Sequence, residues 1–332
     1  MTITDNADDS FPQAPAVMIF AGPNGSGKST ILSQSLADAG LAPVAYINAD
    51  DIAKTLEAEI PDYRERNLRA AQFAEQRRKD ALERGEDFAF ETVMSTPEKV
   101  ALFTQAKARG YEVMLIFVST NDPAINVQRV ANRVALGGHA VAEDAIRERY
   151  RRALDLLACA VEHADAAVVY DNSLPNAEGG PLQVAIKSEG RVTITGYDDF
   201  DTAWVESALR QPWIARTASR SHVNALMEQD AAVRGLVCPP DPVAAIAKHE
   251  ADYWGIAIAV TDHHFLLLSP KGEYTIHDRQ LTATSDVAEG KWCCVQYRYA
   301  PGGKIDRSNL IESAAKDPGL GNAPTPRRGP SP

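Results

Sequence analysis

Along the first part of the chain, short apolar runs alternate with longer segments in which apolar positions recur every three or four residues. The short runs read as strands and the longer segments as helices. Val17–Phe20 is the first predicted strand, followed by a helix from about Ser29 to Leu36 that ends near Gly40, a glycine suited to a C-cap. Val44–Ile47 is the second strand. A charged helical region follows Pro61, with Leu68, Ala71, Phe73 and Ala74 as its apolar positions, and ends near Gly85. Phe88–Phe90 is the third strand. Pro97 then opens a helix whose apolar side is Val100, Phe103, Ala106 and Ala108. Val113–Val118 is apolar throughout, as expected of a strand buried on both faces. Helices are predicted over Ala124–Ala135, stopped by Gly137-Gly138, and over Ala142–Cys159. Ala167–Tyr170 is the fifth strand, and Val184–Ile186 with Val192–Ile194 form a closing hairpin through Glu189-Gly190. A helix around Trp204 ends this region.

Strands that alternate with helices predict an α/β fold: a parallel sheet flanked by helices. The pattern then changes. Residues from about Ser219 to His249 are helical in period, interrupted at Cys238-Pro239-Pro240. From Trp254 onward the chain reads as strands: Gly255–Val260, Phe265–Leu268, Tyr274–His277 and Cys293–Tyr299, with a turn at Lys271-Gly272. We expect a larger domain over residues 14–210 and a small α+β domain over 219–310. Residues 1–13 and the Gly-, Pro- and Arg-rich 311–332 are expected to be disordered.

With 332 residues, 45% hydrophobic and 24% charged, the chain is long enough for two such cores. Its net charge of −11 argues against broad nucleic-acid binding. The four cysteines, Cys159, Cys238, Cys293 and Cys294, form no C-x-x-C pair, so neither a zinc ribbon nor a disulfide framework is indicated. The first ten residues lack the basic start and apolar run of a secretory signal. No apolar stretch approaches the ~20 residues that span a bilayer. A cytoplasmic protein with reduced cysteines and no membrane partner is expected.

The predicted first strand runs into Gly22-Pro23-Asn24-Gly25-Ser26-Gly27-Lys28-Ser29-Thr30, and a helix follows. The pattern G-x-x-x-x-G-K-S in a strand–loop–helix context is a P-loop. Glycines let the backbone wrap close to a phosphate, and the loop N–H groups with the helix N-terminus face the anion. Lys28 is placed at the β- and γ-phosphates, and the Ser29 hydroxyl at Mg²⁺. The expected cofactors are ATP and Mg²⁺.

Ligands of open parallel sheets sit at the C-terminal ends of the strands. Asp50 follows the second strand and Glu91 the third, both beside the P-loop. A carboxylate there can orient an acceptor hydroxyl and take its proton, and Asp50 fits that role best. Asp51 is its rival, with a helix N-cap as the other use for it. Glu91 would bind the acceptor or hold the metal's water shell. Arg129 and Arg133, four apart, share a helix face and suit a lid that presents arginines to the γ-phosphate. The arginines between 147 and 152 read mainly as a solvated face. Leu136-Gly137-Gly138-His139 looks superficially like the signature of transporter ATPases, but it lacks the serine, and no Walker B strand and acid follow it at the right distance.

Taken together, the P-loop, Ile47-Asn48-Ala49-Asp50, Phe90-Glu91-Thr92, Gly110-Tyr111-Glu112-Val113, Arg129-Val130 with Arg133-Val134, Gly137-Gly138-His139, Arg149-Tyr150 and Asp171-Asn172-Ser173 resemble the zeta-toxin-like P-loop kinases. The resemblance covers residues 16–200, in the family's order. It implies ATP–Mg²⁺ on Lys28 and Ser29, Asp50 as base, Arg129 and Arg133 on the phosphates, and Glu91 with Thr92 in the acceptor site. The family's best-known toxins phosphorylate a sugar hydroxyl of UDP-N-acetylglucosamine and so block cell-wall synthesis, and the resemblance leaves room for an antitoxin protein as partner. This chain has Glu91-Thr92-Val93 where those toxins have Glu-Gly-Thr, so the acceptor hydroxyl contact shifts to Thr92 or is lost. Relatives in the wider family phosphorylate other acceptors, including NAD. NAD, a nucleoside and an antibiotic therefore stay open beside the UDP-sugar. So does a nucleotide-dependent switch without transfer chemistry.

In the C-terminal part, Trp254-Gly255-Ile256, Val260-Thr261-Asp262-His263-His264 and Ile276-His277-Asp278-Arg279 resemble the KfrB-type domain of conjugative-plasmid proteins. His263, His264 and His277 read as polar hairpin residues more readily than as a metal site, since no Cys/His spacing supports one.

Overall fold

The computed structural model describes residues 14–32, 45–138, 140–174, 180–195, 203–239, 252–282, 287–297, 299–300 and 304–305. The chain divides into two compact units, with the division between Arg220 and Ser221. The expected end of the first helix near Gly40, the residues after Pro239 in the 219–249 helix, and both expected disordered ends lie outside the described residues.

The first unit opens with β1 (Ala16–Ala21). The P-loop leads into helix α1, which starts at Lys28 and is described through 32. Next come β2 (Ala45–Ile47), α2 (Ala49–Thr55), α3 (Tyr63–Arg84), β3 (Phe88–Thr92), α4 (Pro97–Ala108) and β4 (Glu112–Ser119). After them lie α5 (Pro123–Ala135), α6 (Glu143–Asp155), α7 (Leu157–His163) and β5 (Ala166–Asp171). The hairpin β6 (Leu182–Ser188) and β7 (Arg191–Ile194) closes the sheet.

The seven strands lie in the order β2-β3-β1-β4-β5-β6-β7. The first five are mutually parallel, and β6 and β7 are antiparallel additions at one edge. The chain leaves β1 for β2 on one side and later reaches β4 on the other. The end of β1 is therefore a topological switch point, where open α/β sheets bind ligands. Ile19 pairs with Phe90 on one flank and Leu115 on the other, and all three are buried. The Glu189-Gly190 turn has φ of 51° at Glu189 and 72° at Gly190, the left-handed pair that a two-residue hairpin needs.

In this unit two details differ from the sequence expectations. Helix α2 was not anticipated, and Asp50 and Asp51 both stand in its first turn. Its N-cap is Asn48, whose side chain accepts from the Asp50 N–H at 2.8 Å, so Asp51 does not cap. The helix expected over 142–159 is two helices that meet at Leu156. The N–H of Leu156 still bonds Arg152 O at 3.2 Å, so the chain turns there with its backbone bonds kept.

Beyond β7, α8 (Ala203–Val205), a π-helical turn (Glu206–Arg210) and α9 (Gln211–Arg234) follow one another without a break. The division between the units thus falls inside α9. The second unit is a four-stranded antiparallel sheet in the order β10-β9-β8-β11, from β8 (Tyr253–Val260), β9 (His264–Leu268), β10 (Tyr274–Asp278) and β11 (Trp292–Val295). Val223, Met227 and Ala231 of α9 pack with Ala259, Leu266, Leu268 and Ile276 of this sheet. The strand expected over 293–299 ends at Val295. Tyr299–Ala300 pairs instead with Lys304–Ile305 as β12 and β13.

Candidate functional site

The P-loop hangs between the ends of β3 and β4. Gly22 N donates to Thr92 O at 3.2 Å, and φ of 140° at Gly22, 76° at Gly25 and 94° at Gly27 curls the loop back on itself. Pro23 O accepts from Ser26 N at 3.3 Å and from the Lys28 ammonium at 2.8 Å. Thr30, in the first turn of α1, donates its N–H to Gly27 O at 3.1 Å.

Lys28 is 6% exposed. Burial pulls its pKa from 10.5 down to about 8. Glu91 opposes that shift, Arg133 adds to it, and Asp50 opposes it, so all three lie within electrostatic reach of the ammonium. Glu91 Oε1 stands 3.8 Å from Lys28 Nζ, and Glu91 Oε2 accepts from Ser29 Oγ at 2.8 Å. The same carboxylate oxygen takes a longer bond, 3.4 Å, from Tyr46 Oη, which itself accepts from Asn48 Nδ2 at 3.0 Å. Burial, then Glu91, pushes the Tyr46 phenol up, so it stays a proton donor at neutral pH. Asn48, Tyr46, Glu91 and Ser29 thus form one hydrogen-bonded chain from the cap of α2, where Asp50 sits, to the P-loop.

The site residues expected from sequence fall into two groups. Lys28, Ser29, Glu91, Asp50 and Arg133 come together. Asp51 is turned onto Lys54 Nζ, 2.7 Å away at the surface of α2. Thr92 uses its carbonyl to hold Gly22, and its hydroxyl oxygen accepts from Met94 N at 3.1 Å. Arg129 answers to a different charge. Burial lowers its pKa, and the opposing charge is Asp171 at the end of β5. Among the described residues, Arg129 Nη1 is buried with no hydrogen-bond partner. Of the C-terminal histidines, His277 is a core residue: its ring stacks on Phe265 at 4.8 Å, and its Nδ1 is 2.7 Å from Tyr297 Oη.

Two contributors were missed from sequence: Tyr46, in the second strand, and Asn126, in the first turn of α5. Asn126 is fully buried and bonds Asn24 O at 2.7 Å. Its one sequence signal is placement. Asn126 sits four residues before buried Val130, a polar residue on the buried side of the helix.

The residues present fit a triphosphate and a hard cation. Lys28 is a buried cation, and Ser29 and Glu91 offer oxygen donors side by side. Ser26 Oγ is fully buried with no hydrogen-bond partner among the described residues. A family model described as Zeta toxin matches residues 2–175. The chain belongs to the zeta-toxin family. The strand order and the P-loop give this zeta-toxin relative a P-loop kinase fold.

An uncharacterised curated protein of Haemophilus influenzae is 31% identical over 133 residues, covering 40% of this chain and 91% of that protein. Among solved structures, the PezAT chromosomal toxin–antitoxin system of Streptococcus pneumoniae is similar at 15% identity and a TM-score of 0.39, over 61% of this chain and 87% of that one. The AvrRxo1-ORF1:-ORF2 complex with ATP is similar at 12% and 0.44, over 60% of this chain and 64% of that one. A gluconokinase from Sinorhizobium meliloti is similar at 13% and 0.31, over 50% and 86%. The family match stops at residue 175, and no helix among the described residues is long and apolar enough to cross a membrane.

Proposed function

We propose that this zeta-toxin relative is an ATP-dependent kinase that phosphorylates a hydroxyl of a small nucleotide-type acceptor, with UDP-N-acetylglucosamine as first choice. The observation that carries the reading is Glu91, which reaches Ser29 Oγ at 2.8 Å and Lys28 Nζ at 3.8 Å while Asp50 stands within electrostatic reach of the same lysine. An acid and a base-competent carboxylate beside a P-loop cation are what phosphoryl transfer to an alcohol requires. The choice of UDP-sugar rests on the family alone. On this reading the protein partner is an antitoxin.

In this mechanism Lys28 holds the β- and γ-phosphates. Ser29 and Glu91 would hold Mg²⁺, which when bound neutralises charge between those phosphates. Glu91 also faces the acceptor. Asp50 takes the proton of the acceptor hydroxyl as the new O–P bond forms and the bond from the γ-phosphorus to the bridging oxygen breaks, releasing ADP. Arg133 and Arg129 offset charge that develops on the transferred group.

An acceptor screen with γ-labelled ATP tests this. Label is expected in UDP-N-acetylglucosamine. Label in NAD or a nucleoside instead keeps the kinase and replaces the acceptor. ATP turnover that no acceptor stimulates rejects transfer.

A further inference from the structure

Two asparagines from distant parts of the chain hold the carbonyl oxygens of the P-loop. Asn126, fully buried in the first turn of α5, donates Nδ2–H to Asn24 O at 2.7 Å. Its Oδ1 accepts from Thr120 Oγ1, which fixes the amide's orientation. Asn172, just past β5 and 8% exposed, donates Nδ2–H to Ser26 O at 2.8 Å. Its own N–H is tied to Ser119 O at 2.7 Å, at the end of β4.

Both asparagines approach through space that only glycine leaves open. A Cβ on Gly25 would stand 2.5 Å from Asn126 O, and one on Gly27 would stand 2.2 Å from Asn172 Nδ2. A trans peptide carries its C=O and its N–H on opposite sides. Tying Asn24 O to Asn126 therefore turns the Gly25 N–H away from α5. Tying Ser26 O to Asn172 turns the Gly27 N–H away from the end of β5. Flipping either peptide would aim a carbonyl dipole where the loop presents an N–H, and an anion would meet repulsion there instead of a donor.

We propose that Asn126 and Asn172 are positioning residues that lock the Asn24–Gly25 and Ser26–Gly27 peptides so that the Gly25 and Gly27 N–H groups face a polyphosphate. The proposal rests on the reading of the P-loop as a triphosphate site. Neither asparagine touches the phosphate, because both act through the backbone.

The test uses the full chain labelled with ¹⁵N-glycine, with inorganic tripolyphosphate and ATP as probes. In the wild type, the Gly25 and Gly27 amide protons should move downfield on adding tripolyphosphate. Gly85 and Gly110, which follow α3 and α4, should stay in place. Asn126→Ala and Asn172→Ala should each weaken tripolyphosphate and ATP about threefold to tenfold, the value of one lost hydrogen bond. The first should abolish the Gly25 shift and the second the Gly27 shift, with Gly85 and Gly110 at their wild-type positions as the sign of an intact fold. Tripolyphosphate binding by the wild type with neither glycine shifted overturns the proposal even if a variant fails to fold. So do variants that bind within twofold of wild type with both shifts kept. A wild type that binds no tripolyphosphate overturns the P-loop reading together with this one.

Discussion

Replacing Lys28 by methionine should stabilise the nucleotide-free protein at neutral pH while abolishing its use of ATP. The ammonium is buried at 6% exposure, and the Glu91 oxygen at 3.8 Å does not offset its lost hydration, since its pKa falls from 10.5 to about 8. At about 1.4 kcal/mol per pH unit, that drop is a folding penalty of about 3 kcal/mol. Below about pH 8 the lysine is charged both folded and unfolded, and the penalty is complete. Between about 8 and 10.5 the unfolded chain binds the proton and the folded one does not, so stability rises with pH. Above 10.5 the penalty is gone. Lys28→Met removes the charge but also the 2.8 Å bond to Pro23 O, worth about 1 kcal/mol. The net gain at pH 7 is then about 2 kcal/mol, or roughly 4–8 °C in Tm for a unit of this size. Thermal melts of wild type and variant at pH 7, 8.5 and 10 should show a gap that closes as pH rises. Equal melting at pH 7, or a gap that does not change with pH, refutes the reasoning. The same titration predicts that wild-type kcat/KM for ATP falls above about pH 8, as Lys28 loses its proton in the free enzyme.

Asp50→Asn should keep ATP binding and lose transfer by roughly two to four orders of magnitude, the usual range for a lost general base. Asp51→Asn should be mild, because that carboxylate is turned onto Lys54. Transfer and ATP-affinity measurements on both variants check the pair, and the reverse ranking would make Asp51 the base. Arg133→Ala and Arg129→Ala should lower kcat more than ATP affinity, with Arg133 the more sensitive because it lies within reach of Lys28 while Arg129 answers to Asp171. Arg151→Ala, on a 69% exposed side chain paired to Asp155, is the control, and equal small effects at all three would make α5 ordinary surface.

What the sequence made legible was local. The P-loop spans nine consecutive residues, and β1, β3 and β4 are apolar runs, so both the sheet and the acids at its strand ends follow from spacing alone. Helix α2 escaped because seven residues with only Ile52 and Ala53 buried carry no readable period. The sequence expectation ends the larger domain near residue 210, after a helix around Trp204. A π-helical turn, Glu206–Arg210, lies at that place, and the helix carries on to Arg234. For the loop's asparagine anchors, nothing local in the sequence names the carbonyls they hold. Asn126 and Asn172 meet their carbonyls across 102 and 146 residues of sequence.

These anchors and Lys28 act on the same free-energy difference from two sides. An anion site can present donors that are already oriented, or it can orient them when the anion arrives and lose affinity to that ordering. Here the loop's peptide planes are fixed by buried side chains, and the cation is already stripped of water by the fold. Among the protein's own groups, burial outweighs the attraction of Glu91 and Asp50 for Lys28, as the lowered pKa records. A further negative group near that ammonium would raise its pKa and recover part of the penalty. The desolvation of the cation is thus met in folding, and the affinity for a polyanion need not bear it again. That is why the charge at residue 28 should destabilise the protein alone and yet be indispensable to its nucleotide chemistry. Measuring the stability and the ATP affinity of one variant, Lys28→Met, reads both halves of that statement at once.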